Sequence, residues 1–418
     1  MRSVGKAQRT VEEHRAAVAA LLGPTPVEDR PLAAALGLVL AEDLRATIAL
    51  PPFDNSAMDG YAVRAHDVAD ATPDRPVQLP VPEDIPAGRT DSPPLLPGTA
   101  HRIMTGAPMP PGADAVVQVE HTDGGVHSVR VDRSVAVGTH VRRAGEDTDA
   151  GALVLPAGTP LTAPRLGLAA AVGAATVAVR RPPNVLVLST GSELVSAGQP
   201  LRHGQIYESN GVMLAAAVRD AGGHAEQLRF VPDDVPQFLA ALTDRITSAT
   251  AEGNPPDLIL TSGGVSAGAY EVVKDALADR GVEFVRVAMQ PGGPQGAGRL
   301  NGPGRPGVTV VTLPGNPVSS QVSFEVFVRP ALRAAMGHPR PARPLVRAAL
   351  SETLRSPAGK RQFRRGELDA AAGTVRTVGG PGSHLLSALA RANCLIVLDE
   401  TAEVHAQGTE VDVWVLDS

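Results

Sequence analysis

Sulfur, aromatic rings and lysine are scarce in this 418-residue chain. Its one cysteine, Cys394, sits in the apolar run "NCLIVL", so no internal disulfide is available and a cytoplasmic protein is expected. Aromatic residues make up 3% of the chain, which leaves Ala, Val and Leu to fill the cores. Lysine occurs only as Lys6, Lys274 and Lys360, and acidic residues outnumber basic ones, 44 to 38. That balance gives no basic footprint for nucleic acid. The longest bland apolar run, "LGLAAAVGAATVAV" at 166–179, is too short and too rich in small residues to span a bilayer, and the first residues show no apolar export-signal core. No membrane role is expected. HExxH and Walker A patterns are missing, as are Cys/His clusters and Ser/His/Asp arrangements, and none of the glycine-rich strand ends reads as a GxGxxG fingerprint, which removes support for zinc, nucleotide hydrolysis and dinucleotide chemistry.

What is present is modular. A chain of this length exceeds what one core usually serves. Thr10 followed by Glu13 reads as a capping box opening a helix through Leu22, stopped by Gly23 and Pro24, with a second short helix over Pro31–Leu36. From 52 to 142 short Val-rich runs broken by Pro and Gly suggest a β-rich insert, and the Ala-rich segment 143–182 returns to helical spacing. The economical division is a discontinuous helical/linker domain, 1–51 plus 143–182, around the insert. From 183 to 336 strands and helices alternate at βαβ spacing, which predicts a doubly wound parallel sheet with helices on both faces. Residues 337–418, rich in Arg, Val and Thr with Gly turns, read as a small C-terminal β-barrel or sandwich.

Ligands of open α/β sheets sit beyond the carboxyl ends of the strands. Three such ends carry glycine beside hydroxyls: "STGSEL" (Ser189, Thr190, Gly191), "TSGGVSAG" (Ser262, Gly263, Gly264, Ser266) and "LPGNPVSS" (Pro314, Gly315, Asn316, Pro317, Ser319). Glycine admits a close ligand, and helices opening after the latter two offer amides to an anion. Together they suggest a phosphate-bearing ligand across the sheet rim, although Gly and Ser also build ordinary turns. Glu193, Asp233, Asp234 and Glu271 lie nearby in sequence, and a cation would reconcile carboxylates with an anionic ligand, Mg²⁺ being the candidate. Asp233 and Asp234 serve equally well as helix N-caps. Lys274 falls on the helix after the second glycine loop, where it is placed either to neutralise phosphate or simply to face solvent.

The segment "PPFDNSAMDGYAVR", together with "HRIMTGAPMPPGADAVV", "RRAGEDTDAGALVLPAGT", "STGSEL", "GQIYESNG", "TSGGVSAGAYEVVKDAL", "LPGNPVSSQVSFEVFV" and "GSHLLSALARANCLIVL", resembles the molybdopterin molybdenumtransferase family (MoeA, gephyrin E-domain) in order over nearly the whole chain. The resemblance implies an elongated homodimer with four domains per chain, the third being an α/β molybdopterin-binding domain. It implies a Mg²⁺-assisted reaction in which adenylylated molybdopterin and molybdate give molybdenum cofactor and AMP. It further implies that the loop with Asp54, Asn55, Ser56 and Asp59 completes the partner subunit's site, with Thr105, Arg143 and Asp147 contributing to the cleft and Ser383 to the ligand site. Asp59, Glu193, Asp234 and Glu271 are the metal and catalytic candidates. A separate adenylyltransferase and apo-molybdoenzymes are possible partners.

The chain departs from the family at "QPGGPQGAG", where the usual Pro-Gly-Lys-Pro has Gly293 in the lysine position, with Gln290 before it and Ala297 where an aromatic is common. Arg299 or Lys274 is the expected substitute charge, though guanidinium and ammonium differ in geometry. The missing lysine also keeps in view a catalytically weakened scaffold, and the α/β segment alone an adenylyltransferase.

Overall fold

The computed structural model describes residues 8–231, 234–264, 272–302 and 305–417. Alternation in strand Asn184–Thr190 organises its largest unit. Val185 and Val187 enter one buried cluster and Leu186 and Leu188 another, so both faces of the strand are covered. Helix Asn210–Asp220 and the continuous helical run of Pro317–Ser323, Phe324–Val328 and Arg329–Ala335 cover the first face through Leu214, Val218, Val322 and Phe327. Helices Val235–Ala251 and Val272–Leu277 cover the second through Phe238, Leu242, Val273 and Ala276.

The sheet has seven strands, in spatial order Gln8–Arg9, Val282–Val287, Pro294–Gly302, Arg305–Leu313, Leu258–Ser262, Asn184–Thr190 and His224–Val231. The last four run parallel, as the βαβ spacing predicts. The segment Pro294–Gly302 pairs antiparallel on both sides, so the sheet is mixed rather than wholly parallel. Its glycines concealed it in the sequence: a side chain on Gly298 would lie 2.0 Å from the Gly281 carbonyl, a close approach that only glycine allows.

The N-terminal helix forms as its capping box requires, over Val11–Leu21, with the Thr10 hydroxyl accepting from the Glu13 amide at 3.1 Å and Glu13 accepting from the Thr10 amide at 2.8 Å. Its placement differs from the expected grouping of residues 1–51. Val11 and Val18 are buried in the α/β core, and Gln8–Arg9 adds an edge strand to the large sheet. The remaining linker elements form their own cluster of Ala35, Leu40, Leu155, Leu161, Val177 and Val179, around one helix, Ala163–Ala171, and paired strands Val27–Pro31 and Thr176–Arg180. That unit is therefore mixed rather than helical, because β-branched residues at 177 and 179 alternate inward.

In the insert, Gly60–Val63 lies between His101–Ile103 and Ala115–Gln118, with Glu83–Ile85 outside. The C-terminal unit is a closed barrel of Leu345–Leu350, Arg361–Asp369, Thr374–Thr377, Cys394–Leu398 and Glu410–Val415. Phe363 and Leu395 carry it onto the α/β core. Cys394 is fully buried, and burial pushes its thiol up to about 12, so it is an inert core residue. Among the described residues no helix is long and apolar enough to cross a membrane.

One core residue is out of character. His14 is fully buried edge-on to Phe327, with their centroids 4.7 Å apart, and neither ring nitrogen has a hydrogen-bond partner. Burial, and secondarily the charge of Arg9, lowers its pKa from 6.5 to about 4. The unfolded chain therefore binds a proton that the folded one refuses, and His14 costs stability progressively as pH falls from 6.5 towards 4. His14→Leu is expected to raise stability at neutral pH by about 1 kcal/mol, by removing an unsatisfied polar group of similar volume. It should also flatten part of the acid limb in thermal melts taken across that range, His338, likewise lowered to about 4 by burial, retaining its share.

Candidate active site

Register brings the predicted strand ends together. Ser189 is paired with Ser262, and Ser262 with Leu313, so the three loops leave the sheet side by side. Gly263 holds φ at +98°, and its amide donates to the Leu313 carbonyl at 3.1 Å. A Cβ there would sit 2.9 Å from the Thr190 carbonyl, and one on Gly315 would sit 3.4 Å from the Gly263 Cα. The loops are thus in backbone contact, which their glycines permit.

Side chains from a fourth element tie the rim. Asn210, at the start of helix Asn210–Asp220, donates to the Ser262 hydroxyl at 2.8 Å and to the Gly315 carbonyl at 2.6 Å. Glu208 accepts from Ser189 Oγ at 2.9 Å, the Gly211 amide at 2.6 Å and Gln227 at 3.1 Å. The hydroxyl of Ser320 donates to that of Ser262 at 3.3 Å. Glu208 and Asn210 carry no glycine-hydroxyl signal that would mark them as site residues in the sequence, though both stand in "GQIYESNG". Thr190 Oγ1 and Asn210 Oδ1 are buried without partners, so the rim keeps polar atoms unspent. Ser319 is buried in the helix that follows Pro317. The carbonyl of Ser383, from the barrel, accepts the Val318 amide at 3.1 Å, bringing the loop 380–384 onto the start of that helix.

The carboxylates are dispersed. Asp234 caps helix Val235–Ala251, accepting from the Gln237 amide at 2.9 Å, which is the structural role its position allowed. Glu193 folds back over Gly191, whose Cβ would meet its carboxylate oxygens at 2.6 and 2.8 Å. Asp233, Ser266 and Glu271 lie outside the described residues. Lys274 is half-buried on its short helix, and its amide donates to the Gly264 carbonyl at 3.3 Å. Among the described residues no group of three or more His, Cys, Asp or Glu side chains forms a metal cluster.

The acidic loop stands apart on the insert. Asp59 is exposed and its Oδ1 accepts from both the amide and the hydroxyl of Thr105, each at 2.7 Å. These bonds, the amide first, hold its carboxyl below the usual range. Asp54 is held below its ordinary value by the Ala144 amide and then by Arg143, whose guanidinium is 2.6 Å away. Asn55 is buried, pairs with Arg142 and donates to the Phe53 carbonyl at 3.2 Å. Asp147 is exposed, its amide bound to the Leu50 carbonyl at 3.0 Å. Among the described residues no hydrogen bond or ion pair joins residues 54–59 to the strand-end loops of the same chain.

The cation expected to replace the missing lysine is not Arg299. That side chain donates to the carbonyls of Leu21, at 2.9 Å, and Gly307, at 3.3 Å, well along its strand from Pro294. The barrel supplies another guanidinium. Arg365 is 2% exposed, donates to the Gly380 carbonyl and leaves Nε unpaired, and among the described residues no carboxylate lies within ion-pair distance. An unneutralised buried charge beneath the loop that reaches Ser383 is a costly arrangement unless an anion offsets it. Nothing in the sequence marks Arg365 for this, because "RQFRRGEL" reads as an ordinary barrel strand with an arginine run.

Comparison with known proteins agrees with this architecture segment by segment. Residues 9–173 match the MoeA N-terminal region (domain I and II), 186–334 the probable molybdopterin binding domain, and 347–416 the MoeA C-terminal region (domain IV). The chain is 56% identical over 415 residues to molybdopterin molybdenumtransferase 2 of Mycobacterium tuberculosis, covering 98% of this chain and 100% of the relative. It is 38% identical over 396 residues to the molybdopterin molybdenumtransferase of Synechococcus elongatus, covering 93% and 94%. The crystal structure of a molybdopterin biosynthesis MoeA protein from Pyrococcus horikoshii superposes with a TM-score of 0.82 at 30% identity, covering 99% of this chain and 100% of that one. The chain belongs to the MoeA family of molybdopterin molybdenumtransferases.

Proposed function

We propose that the protein is a molybdenum insertase, converting adenylylated molybdopterin and molybdate to molybdenum cofactor and AMP. The observation that carries this reading is the convergence of three glycine- and hydroxyl-bearing strand ends on one rim, tied by Asn210, with the barrel's Arg365 beneath the adjoining loop. Backbone amides and hydroxyls orient the phosphates of the ligand, and Arg365 and Ser383 favour the oxyanion beside them. No protein nucleophile is required, because water cleaves the phosphoanhydride and molybdate binds the ligand's own two sulfurs, one of its oxygens leaving as water with the two thiol protons.

The residues fit a Mg²⁺ whose coordination the substrate completes. Asp59 has one oxygen committed to Thr105 and the other directed to no described partner, which suits a cation taking one or two carboxylates plus phosphate. Such an ion neutralises charge on the phosphoanhydride when bound. The Asp54–Asp59 loop, separate from its own chain's rim, supports a homodimer in which each insert serves the other subunit's site. The composition suits a cytoplasmic enzyme that receives its substrate from an adenylyltransferase and hands its product to apo-molybdoenzymes.

The test is activation of an apo-molybdoenzyme by the purified protein with adenylylated molybdopterin, molybdate and Mg²⁺. Activation abolished by chelation of Mg²⁺ and restored by its return supports the reading; activation indifferent to Mg²⁺ removes the metal from it. Gly293 offers a graded check. A Cβ there meets only the Val287 and Met289 carbonyls, at 3.4 and 3.7 Å, so Gly293→Lys is expected to fold and to lower the apparent KM for molybdate about three- to tenfold through an added charged contact.

A further inference from the structure

A cavity lies at the end of the sheet opposite the rim. Strands Leu258–Ser262 and Arg305–Leu313 reach the rim at Ser262 and Leu313, whereas this cavity is lined by Asp257, just before the first strand, and by Gly307, Val308 and Thr309 of the second, Thr309 being paired with Leu258. It has a volume of about 850 Å³, within the range of small-molecule sites. Helix Val235–Ala251 buries Phe238, Leu242 and Ala249, while Leu239, Thr243, Ile246 and Thr250 line the cavity at helical spacing, Leu239 and Ile246 also packing against the core. Leu21, Leu22, Pro24, Leu300 and Val308 complete the apolar wall.

The charges on this wall are unbalanced. Asp257, its one carboxylate, is taken by Arg181 at 2.7 and 2.8 Å and by the Asn184 amide at 2.7 Å. Among the described residues Arg280 and Arg299 bond only to backbone carbonyls, of Ala276 in the first case and of Leu21 and Gly307 in the second, and neither has a carboxylate partner. We propose that this cavity binds a small amphipathic monoanion, an apolar body seated against Leu239, Ile246, Leu300 and Val308 with its charge between Arg280 and Arg299.

The probes are anilinonaphthalene sulfonate and phenylnaphthylamine, which share an apolar body and differ in the sulfonate. Titrated into the full-length protein by fluorescence, the sulfonate is expected to bind saturably and about tenfold or more tightly than the neutral analogue, the size of a charge-assisted contact. Arg280→Ala should remove most of that preference, and Thr243→Trp, which fills the cavity from an exposed helix position, should abolish both signals while leaving the melting temperature and the oligomeric state unchanged. Equal binding of the two probes, or an undiminished signal in Thr243→Trp, overturns the proposal. If Thr243→Trp instead disrupts the oligomer by sedimentation, the wall is covered by a second copy of the chain, and the proposal fails in that way.

Discussion

Asp59→Asn is expected to lower turnover at least about a hundredfold while leaving the loop in place, a loss of the size seen when one electrostatic contact is removed from a reacting centre. The substitution separates charge from shape. The Oδ1 that accepts from the Thr105 amide and hydroxyl is retained as an amide oxygen, and the ionised oxygen left for a cation is replaced by a donor. The expected pattern is a fall in kcat with thermal stability unchanged, partly relieved by raised Mg²⁺. If Asp59 only shapes a turn, Asn would fulfil that role and turnover would barely change.

Arg365→Met is the second large effect, and it moves stability and activity in opposite directions. The guanidinium is buried, its Nε is unpaired and no described carboxylate neutralises it, so a thioether of similar length relieves a desolvation cost. The melting temperature should hold or rise. The apparent KM for molybdate should rise about a hundredfold, because the site loses its buried positive charge. A variant that is destabilised and catalytically normal would make Arg365 a strut between barrel and loop.

The two variants also test the shared site. Mixed dimers of Asp59→Asn with Arg365→Met contain one intact site if the insert of one subunit serves the rim of the other, and none if each chain serves itself. Recovery of activity on mixing the two impaired proteins, assayed at molybdate well below the raised KM of Arg365→Met, is the expected result; no recovery in verified mixed dimers places the loop over its own chain's rim.

The parts of this molecule that were legible in the sequence are those governed by local chemistry. The Thr10–Glu13 capping box, the βαβ spacing from 183 onward and the glycine-hydroxyl strand ends each state a local preference that tertiary packing then keeps. Contributions that depend on long-range pairing were hidden. Gln8–Arg9 joins the large sheet through a partner at 286–287, which nothing in a two-residue strand announces. The glycine-rich strand Pro294–Gly302 has the composition of a loop and becomes a strand because its neighbours press against its backbone. Arg299 was a reasonable substitute for the missing lysine by sequence distance, but in an extended strand five residues carry it about 17 Å from Pro294, and it is held by Leu21. Arg365 was missed for the converse reason, since it comes from a different domain. Asp234 had two readings, and the Gln237 amide supplies one of them, while the functional reading of the remaining carboxylates rests on the family and on the variants above.

The most direct test of insertion is single-turnover release of AMP from protein-bound adenylylated molybdopterin as molybdate is raised from zero, with Mg²⁺ present. The proposed chemistry predicts that release is slow without molybdate, accelerates saturably with it, and yields one AMP for each molybdenum cofactor recovered in an apo-molybdoenzyme. AMP release that is independent of molybdate, or tight binding of the ligand with no release at any molybdate concentration, would contradict insertion and leave a protein that carries the pterin without metallating it.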